Sequence, residues 1–453
     1  MTTDEDEPAV DSTATEREVA DREAIDRELD DREAIDGEPI DAAAIDDSAI
    51  DVAGIEAADL DSVDVDPAVA DADDERPGAG VSVAVVGAGA IGTTCAYDLA
   101  RRGADVTLYD RGSIASGASG RAAGLCYDAH ASRPDAEIGR ESIERFRRLS
   151  GDDTFPFTEC PYVWLARDGD DARAAAIREA VTRMQERGIV AVTMDADALG
   201  DRFPSLRTDD VAVAGVAGGA GYTDPARYTA CLAAAANGAG TTIELETPVH
   251  VTTDPAGIVE RASGTAREYD AVVVAAGAHT AAILEDAGVS IPVKPYRVQA
   301  LVADADYHEP MCFDASVETY VRPHPDGILV GNGTERVESD PDDWDRSADD
   351  GFVESALERV EDRIPGLEPS VTRRWAGLCT ATPDGDPLVG AIEDGVYVAT
   401  GFQGHGFMRA PAIGDRLARA VLGGDGISAF DPTRFDGDES FEVTPGMAID
   451  IDE

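Results

Sequence analysis

From Val81 onward the chain alternates short apolar runs with alanine-rich stretches. Val81-Ser82-Val83-Ala84-Val85-Val86 is a continuous β-branched run, the pattern of a strand buried on both faces. Thr93 to Arg102 carries helical spacing and stops at Gly103, and Val106-Thr107-Leu108-Tyr109 predicts a second strand. Further on, Thr223-Asp224-Pro225-Ala226-Arg227 supplies an N-cap and a proline at the first helical position. The helix it opens should reach Gly238, with a strand at Thr242-Ile243-Glu244-Leu245. Tyr269 to Val274 reads as a buried strand, Val396 to Ala399 as another, and a last helix is expected from Ala410. Such alternation predicts an α/β fold with a largely parallel sheet.

Residues 1–78 follow a different rhythm. A five-residue beat runs through Ile35-Asp36, Ile40-Asp41, Ile45-Asp46, Ile50-Asp51, Ile55-Glu56, Leu60-Asp61 and Val65-Asp66, and DREAID occurs twice. Seven such units are too few to bury a solenoid core, so this stretch reads as a disordered acidic tail, closed by the breaker Arg76-Pro77-Gly78. The remainder exceeds a typical single core and suggests two joined domains.

Charge narrows the setting. The formal net charge is −55; residues 1–76 hold 29 acidic residues and 5 arginines, and the rest is still strongly acidic, with Lys294 the one lysine of the chain. At ~1 M salt the Debye length falls to ~3 Å and such self-repulsion is screened, which points to a halophilic source. The same charge argues against nucleic acid as a partner. No apolar run is long enough for membrane insertion, and the N-terminus lacks the pattern of a signal peptide, so a cytoplasmic protein is expected. Six scattered cysteines and six scattered histidines suggest neither a disulfide framework nor a metal site.

The candidate chemistry begins where the first strand ends. Gly87-Ala88-Gly89-Ala90-Ile91-Gly92 is a complete GxGxxG between strand and helix, and the second strand closes on Asp110-Arg111. Gly87 permits the tight turn, Gly89 lets a pyrophosphate approach the backbone, and Gly92 allows close helix–strand packing. The helix N-terminus offers amide donors to phosphate, while Asp110 can accept from ribose hydroxyls and disfavours a 2′-phosphate. This fingerprint predicts dinucleotide binding without choosing between NAD and FAD. The stretch Ser116-Gly117-Ala118-Ser119-Gly120-Arg121-Ala122-Ala123-Gly124 is dense in small residues, which lets backbone pass close to a flat ligand.

Together with Pro248-Val249, Val274-Ala275-Ala276-Gly277, Trp375-Ala376-Gly377-Leu378-Cys379-Thr380-Ala381-Thr382-Pro383-Asp384-Gly385-Asp386-Pro387 and Gly401-Phe402-Gln403-Gly404-His405-Gly406-Phe407-Met408, these motifs resemble the FAD-dependent amino-acid and amine oxidoreductases of the D-amino-acid oxidase superfamily, over roughly Val81 to Gly424. The resemblance implies a Rossmann-like FAD-binding domain interleaved with an α+β substrate domain on a mainly antiparallel sheet. It implies FAD contacts at the fingerprint, the 119–124 loop, Val249, Ala275, Gly277, Gly377, Asp384 and the 404–408 loop. His405 is expected beside the flavin, with Tyr320 and Arg322 on a strand facing it. His279 reads as a surface or capping residue.

The expected organisation is a tail at 1–78, FAD-binding segments at 79–150, 221–290 and 375–430, substrate segments at 151–220 and 291–374, and an acidic tail at 431–453. Departures from the family pattern matter as much. Its substrate-holding lysine corresponds to Met408, its carboxylate-clamping arginine to Cys379, and its oxygen-activating lysine to Leu329. Arg121, Arg322 and Arg409 are candidate replacements for the clamp. The positions of the covalent linkers correspond to Gly377 and Arg121, so noncovalent FAD is expected. The pattern is most similar to the sarcosine, dimethylglycine and proline dehydrogenase branch, implying hydride transfer from an amine or amino acid to flavin and an electron carrier of unknown identity. An FAD-binding subunit of a larger complex and a flavin monooxygenase stay open, as does assembly with like or unlike subunits.

Overall fold

The structure, a computed structural model, describes residues 77–151, 154–308, 310–332, 334–444 and 446. The pentapeptide beat lies outside the described residues.

Two large sheets organise the chain. The first has the spatial order Leu388–Glu393, Val396–Thr400, Ala271–Val274, Ser82–Val86, Asp105–Tyr109, Thr242–Glu244. Its neighbours are parallel except for the edge pair Leu388–Glu393 with Val396–Thr400. Val83, Val85, Val272 and Val273 are wholly buried, the both-faces burial that a β-branched run predicts. The helix Ala90–Arg101 packs against Pro225–Gly238 and Gly406–Val421. On it Asp98 is fully buried and accepts from Arg145 of the helix Arg133–Leu149 at 2.8 and 3.1 Å. The same guanidinium donates to the Pro411 carbonyl at 2.5 Å. One buried arginine thus ties three helices together, two of which begin at the cavity described below.

The second sheet runs Ser370–Ala381, Lys294–Asp304, Gly327–Asn332, Thr319–His324, Met311–Asp314, Tyr162–Arg167, Val211–Ala217, Ala191–Met194. Only Met311–Asp314 with Tyr162–Arg167 is a parallel pair. Among the described residues, two three-stranded antiparallel sheets complete the strands.

Three boundaries differ from the sequence reading. Ser370–Ala381 pairs along its length with Lys294–Asp304, so the chain returns to the first sheet after Ala381 rather than at 374. The last helix starts at Gly406, not Ala410, and carries Pro411 inside it. Burial of Phe407, Met408 and Ala410 in the core overrides the poor helix propensity of glycine and proline there. The segment after 430 packs on the body as far as it is described, through residues other than its acids. Arg434 donates to both Asp384 oxygens at 2.8 and 2.9 Å, Lys294 donates to the Phe441 carbonyl at 2.7 Å, and Val443 is buried beside Tyr296 and Ala381. Apolar residues spaced among the acids give this segment something to bury.

Among the described residues no helix is long and apolar enough to cross a membrane, and no group of three or more metal-ligating side chains is assembled.

Candidate active site

A cavity of about 650 Å³ lies between the two large sheets. At one end its wall is mostly backbone. Gly87 turns with φ +115°, where a Cβ would strike the Ala275 carbonyl, and a Cβ on Gly92 would strike the Gly87 carbonyl. Only glycine fits either place. The helix Ala90–Arg101 opens at Gly89 with no side-chain cap and no acid in its first turn; the Ala90 N–H donates to Ser119 Oγ at 2.9 Å. Its remaining first-turn donors have no partner within the helix, which makes this end an anion site. The Asp110 carboxylate is oriented by the N–H groups of Ala88 and Gly112, both at 2.7 Å, and retains lone pairs for further donors.

These residues fit a flat, extended dinucleotide such as FAD. A Cβ at Gly117 or Gly277 would meet no protein atom within 4 Å, and both glycines line the cavity, so each missing side chain is cavity space. Ala88, Ala90, Ile91, Ala122, Ala123, Gly124, Val249 and Ala275 line the same end. At the rim Arg111 donates to Asp342 Oδ1 at 2.9 Å and lies 2.7 Å from His279 Nε2. His279 lines the cavity and also stands at the N-cap position of the helix Thr280–Asp286, without a side-chain capping bond, so the surface or capping reading from the sequence captures only part of its place.

The other end is built from side chains on several elements. Tyr320 and Phe313 come from the second sheet, Cys379 from its edge strand, Met408 and Gly406 from the last helix, and Tyr127 from beyond the 119–124 loop. Tyr127 stacks on Tyr162, with centroids 4.4 Å apart, and its hydroxyl lies 3.2 Å from His405 Nε2. The uncapped start of the last helix, with Gly404 and Phe407, aims its donors here.

Several expected site residues stand elsewhere. His405 does not line the cavity. It is buried against Tyr127, His130 and Arg409, and burial, then Arg409 and His130, hold its pKa well below the usual imidazole value. It is neutral and cannot supply positive charge. Arg322 shares a strand face with Tyr320 but turns beneath the 119–124 loop, donating to the carbonyls of Ala123 at 2.5 Å and Pro323 at 2.6 Å. Its guanidinium lies over the Tyr222 ring, and burial pushes its pKa down to about 10. Asp384 is held by Arg434, and Arg409 by Asp135 at 3.0 Å. Gly92 and Gly120 sit behind the cavity surface, whereas Arg121, Gly377 and Met408 are on it. Sequence reasoning missed Tyr127, Tyr296, Trp375 and Arg346 on the wall. Tyr127 and Trp375 had local signals, the first just past the small-residue loop and the second opening the motif that contains Gly377.

The chain belongs to the FAD-dependent oxidoreductase (DAO) family, whose pattern matches residues 82–420. It is similar to the glycine oxidase of Bacillus licheniformis, 27% identical over 368 residues, 75% of this chain and 92% of that one. It is also similar to the mitochondrial dimethylglycine dehydrogenase of Mus musculus, 26% identical over 383 residues, 78% of this chain but 44% of that one, so it spans less than half of that relative. Among solved structures, L-proline dehydrogenase from P. horikoshii superposes with a TM-score of 0.72 at 25% identity, covering 79% of this chain and 98% of that one. Glycine oxidase from Geobacillus kaustophilus gives 0.70 at 25% identity, covering 79% and 100%. The family depends on FAD, the dinucleotide that the fingerprint end of the cavity fits.

Proposed function

We propose that the chain is an FAD-dependent dehydrogenase that oxidises the carbon–nitrogen bond of a small amine or amino acid to an imine and passes the electrons to a carrier. The observation that carries this reading is the joining, in one cavity, of a backbone cradle for the dinucleotide with a chamber walled by Tyr127, Phe313, Tyr320, Cys379 and Met408. Bound FAD supplies the hydride acceptor; the chamber needs no strong acid or base of its own. Its aromatic walls hold the substrate flat and exclude water, and the donors at the start of Gly406–Val421 favour negative charge nearby. Neutral His405 positions the Tyr127 hydroxyl rather than moving a proton itself. Named activities of the similar proteins, on glycine, dimethylglycine and proline, support the amine or amino-acid class.

Leu329, fully buried within Gly327–Asn332, takes the place that the family resemblance gives to an oxygen-activating lysine, which favours a carrier over oxygen. We also read the acidity as adaptation to concentrated salt inside a cell. The test is turnover of sarcosine, dimethylglycine, proline and D-alanine with an artificial electron acceptor, against oxygen uptake, across a KCl series. Acceptor-linked turnover that rises with salt and exceeds oxygen uptake is expected; faster oxygen uptake contradicts the carrier.

A further inference from the structure

Among the described residues four arginines line the cavity. At the dinucleotide end, Arg111 is paired with Asp342 at 2.9 Å and Arg261 with Asp286 at 3.2 Å. Arg121 and Arg346 differ: among the described residues neither has a carboxylate partner, in a protein where acids outnumber bases more than twofold. Arg121 Nη1 donates to the carbonyls of Ser116 and Gly117, at 2.5 and 3.1 Å, leaving its other donors uncommitted. The Arg346 guanidinium lies 5.1 Å from the centre of the Trp344 ring. The two feel each other, since after burial the charge of Arg346 is what lowers the pKa of Arg121.

Both flank Gly377. A Cβ there would lie 3.4 Å from Arg121 Cβ, Trp375 Nε1 donates to the Arg121 carbonyl at 2.9 Å, and the Ala376 N–H donates to the Arg346 carbonyl at 2.8 Å. Gly377 pairs with Val298, and two residues on Cys379 pairs with Tyr296. Gly377 and Cys379 therefore share a strand face, about 7 Å apart. Cys379 and its neighbours Tyr296, Tyr320 and Met408 bring no positive charge to the inner chamber. The unneutralised charge stands one same-face step further out.

We propose that Arg121 and Arg346 form a carboxylate-binding site beside Gly377, and that the substrate carries its carboxylate several bonds from the carbon that is oxidised. Planar guanidinium groups pair carboxylates in bidentate fashion, and Arg121, Arg346 and Gly377 all face the same cavity. The proposal rests on the amine reading above and fixes where the substrate's charge must sit.

Quaternary ammonium compounds lack a nitrogen lone pair and cannot be oxidised, so they test binding separately from chemistry. Holoenzyme in concentrated KCl is titrated with glycine betaine, 4-trimethylammoniobutanoate and butyltrimethylammonium, and the flavin's visible spectrum gives each Kd. The long betaine should bind more tightly than glycine betaine. Arg346→Gln, at an exposed position, and Arg121→Gln should each weaken the long betaine by about tenfold or more while moving butyltrimethylammonium by about twofold at most. Tighter binding of glycine betaine overturns the site, as does an unchanged long-betaine Kd in both variants, or no spectral response to any probe. Loss of flavin from the variants with unchanged betaine affinity assigns the pair to the cofactor's phosphates and also overturns it. If betaines bind as expected but no amine reduces the flavin, the amine reading fails and the carboxylate site stands.

Discussion

The two ends of the cavity are made of different material. The dinucleotide end is backbone: glycines whose absent Cβ atoms are the binding surface, helix donors, and one carboxylate fixed by two N–H groups. The substrate end is side chains, gathered from the second sheet, the last helix and the segment after the small-residue loop. Backbone surfaces tolerate almost no substitution and look alike wherever one ligand is bound. Side-chain surfaces can be exchanged one residue at a time without disturbing the sheets beneath.

Substitutions should separate the two ends by the size and kind of their effects. The largest is expected at the dinucleotide end. Gly92→Ala forces a Cβ into the Gly87 carbonyl, so the protein should purify without flavin or fail to fold, read from the ratio of flavin to protein absorbance. A fully loaded, stable variant would mean that the turn is not the cofactor cradle.

Arg322→Met probes the seam between the ends. It orphans the carbonyls of Ala123 and Pro323, at about 1–3 kcal/mol for each buried acceptor left unmade. Thermal stability and FAD retention should fall while kcat, measured with FAD in excess, stays within about threefold. A collapse of kcat with stability intact would return Arg322 to the substrate.

The smallest effect is graded with pH. His130 is pushed by burial, then by Arg409, down to about 3, and His405 is likewise held low by burial, Arg409 and His130, with Asp135 opposing. Both are neutral when folded yet titrate near 6.5 when unfolded, so their stabilisation is present above pH 6.5 and is lost as pH falls below it. Stability should drop by about 1.4 kcal/mol per pH unit for each histidine that must bind a proton on unfolding. His130→Gln should flatten the slope; an unchanged slope would show that the pair does not govern it.

The contrast between the ends also explains what could be read from the residues alone. Gly87, Gly89, Gly92 and Asp110 lie within one strand–helix–strand unit, where sequence spacing and spatial spacing are the same thing. The strands Ser82–Val86, Ala271–Val274 and Val396–Thr400 were legible for a similar reason, since each carries its own apolar run. Arg322 was not: strand periodicity places it on the face of Tyr320, but only the packed loop above it shows its donors spent on carbonyls. His405 is a second case, where a glycine-rich setting suggested exposure to the ligand and the helix starting at Gly406 turned the ring inward. The Arg434–Asp384 contact joins residues far apart in the chain, and no local pattern announces it.

The most direct test of the central claim is anaerobic titration of the purified holoenzyme, in concentrated KCl, with sarcosine, dimethylglycine, proline, D-alanine and longer N-methylamino acids, following the visible flavin absorbance. The account predicts that at least one amine bleaches the flavin stoichiometrically and that the product is an imine or its hydrolysed carbonyl compound. A flavin that stays oxidised through the whole series would contradict it.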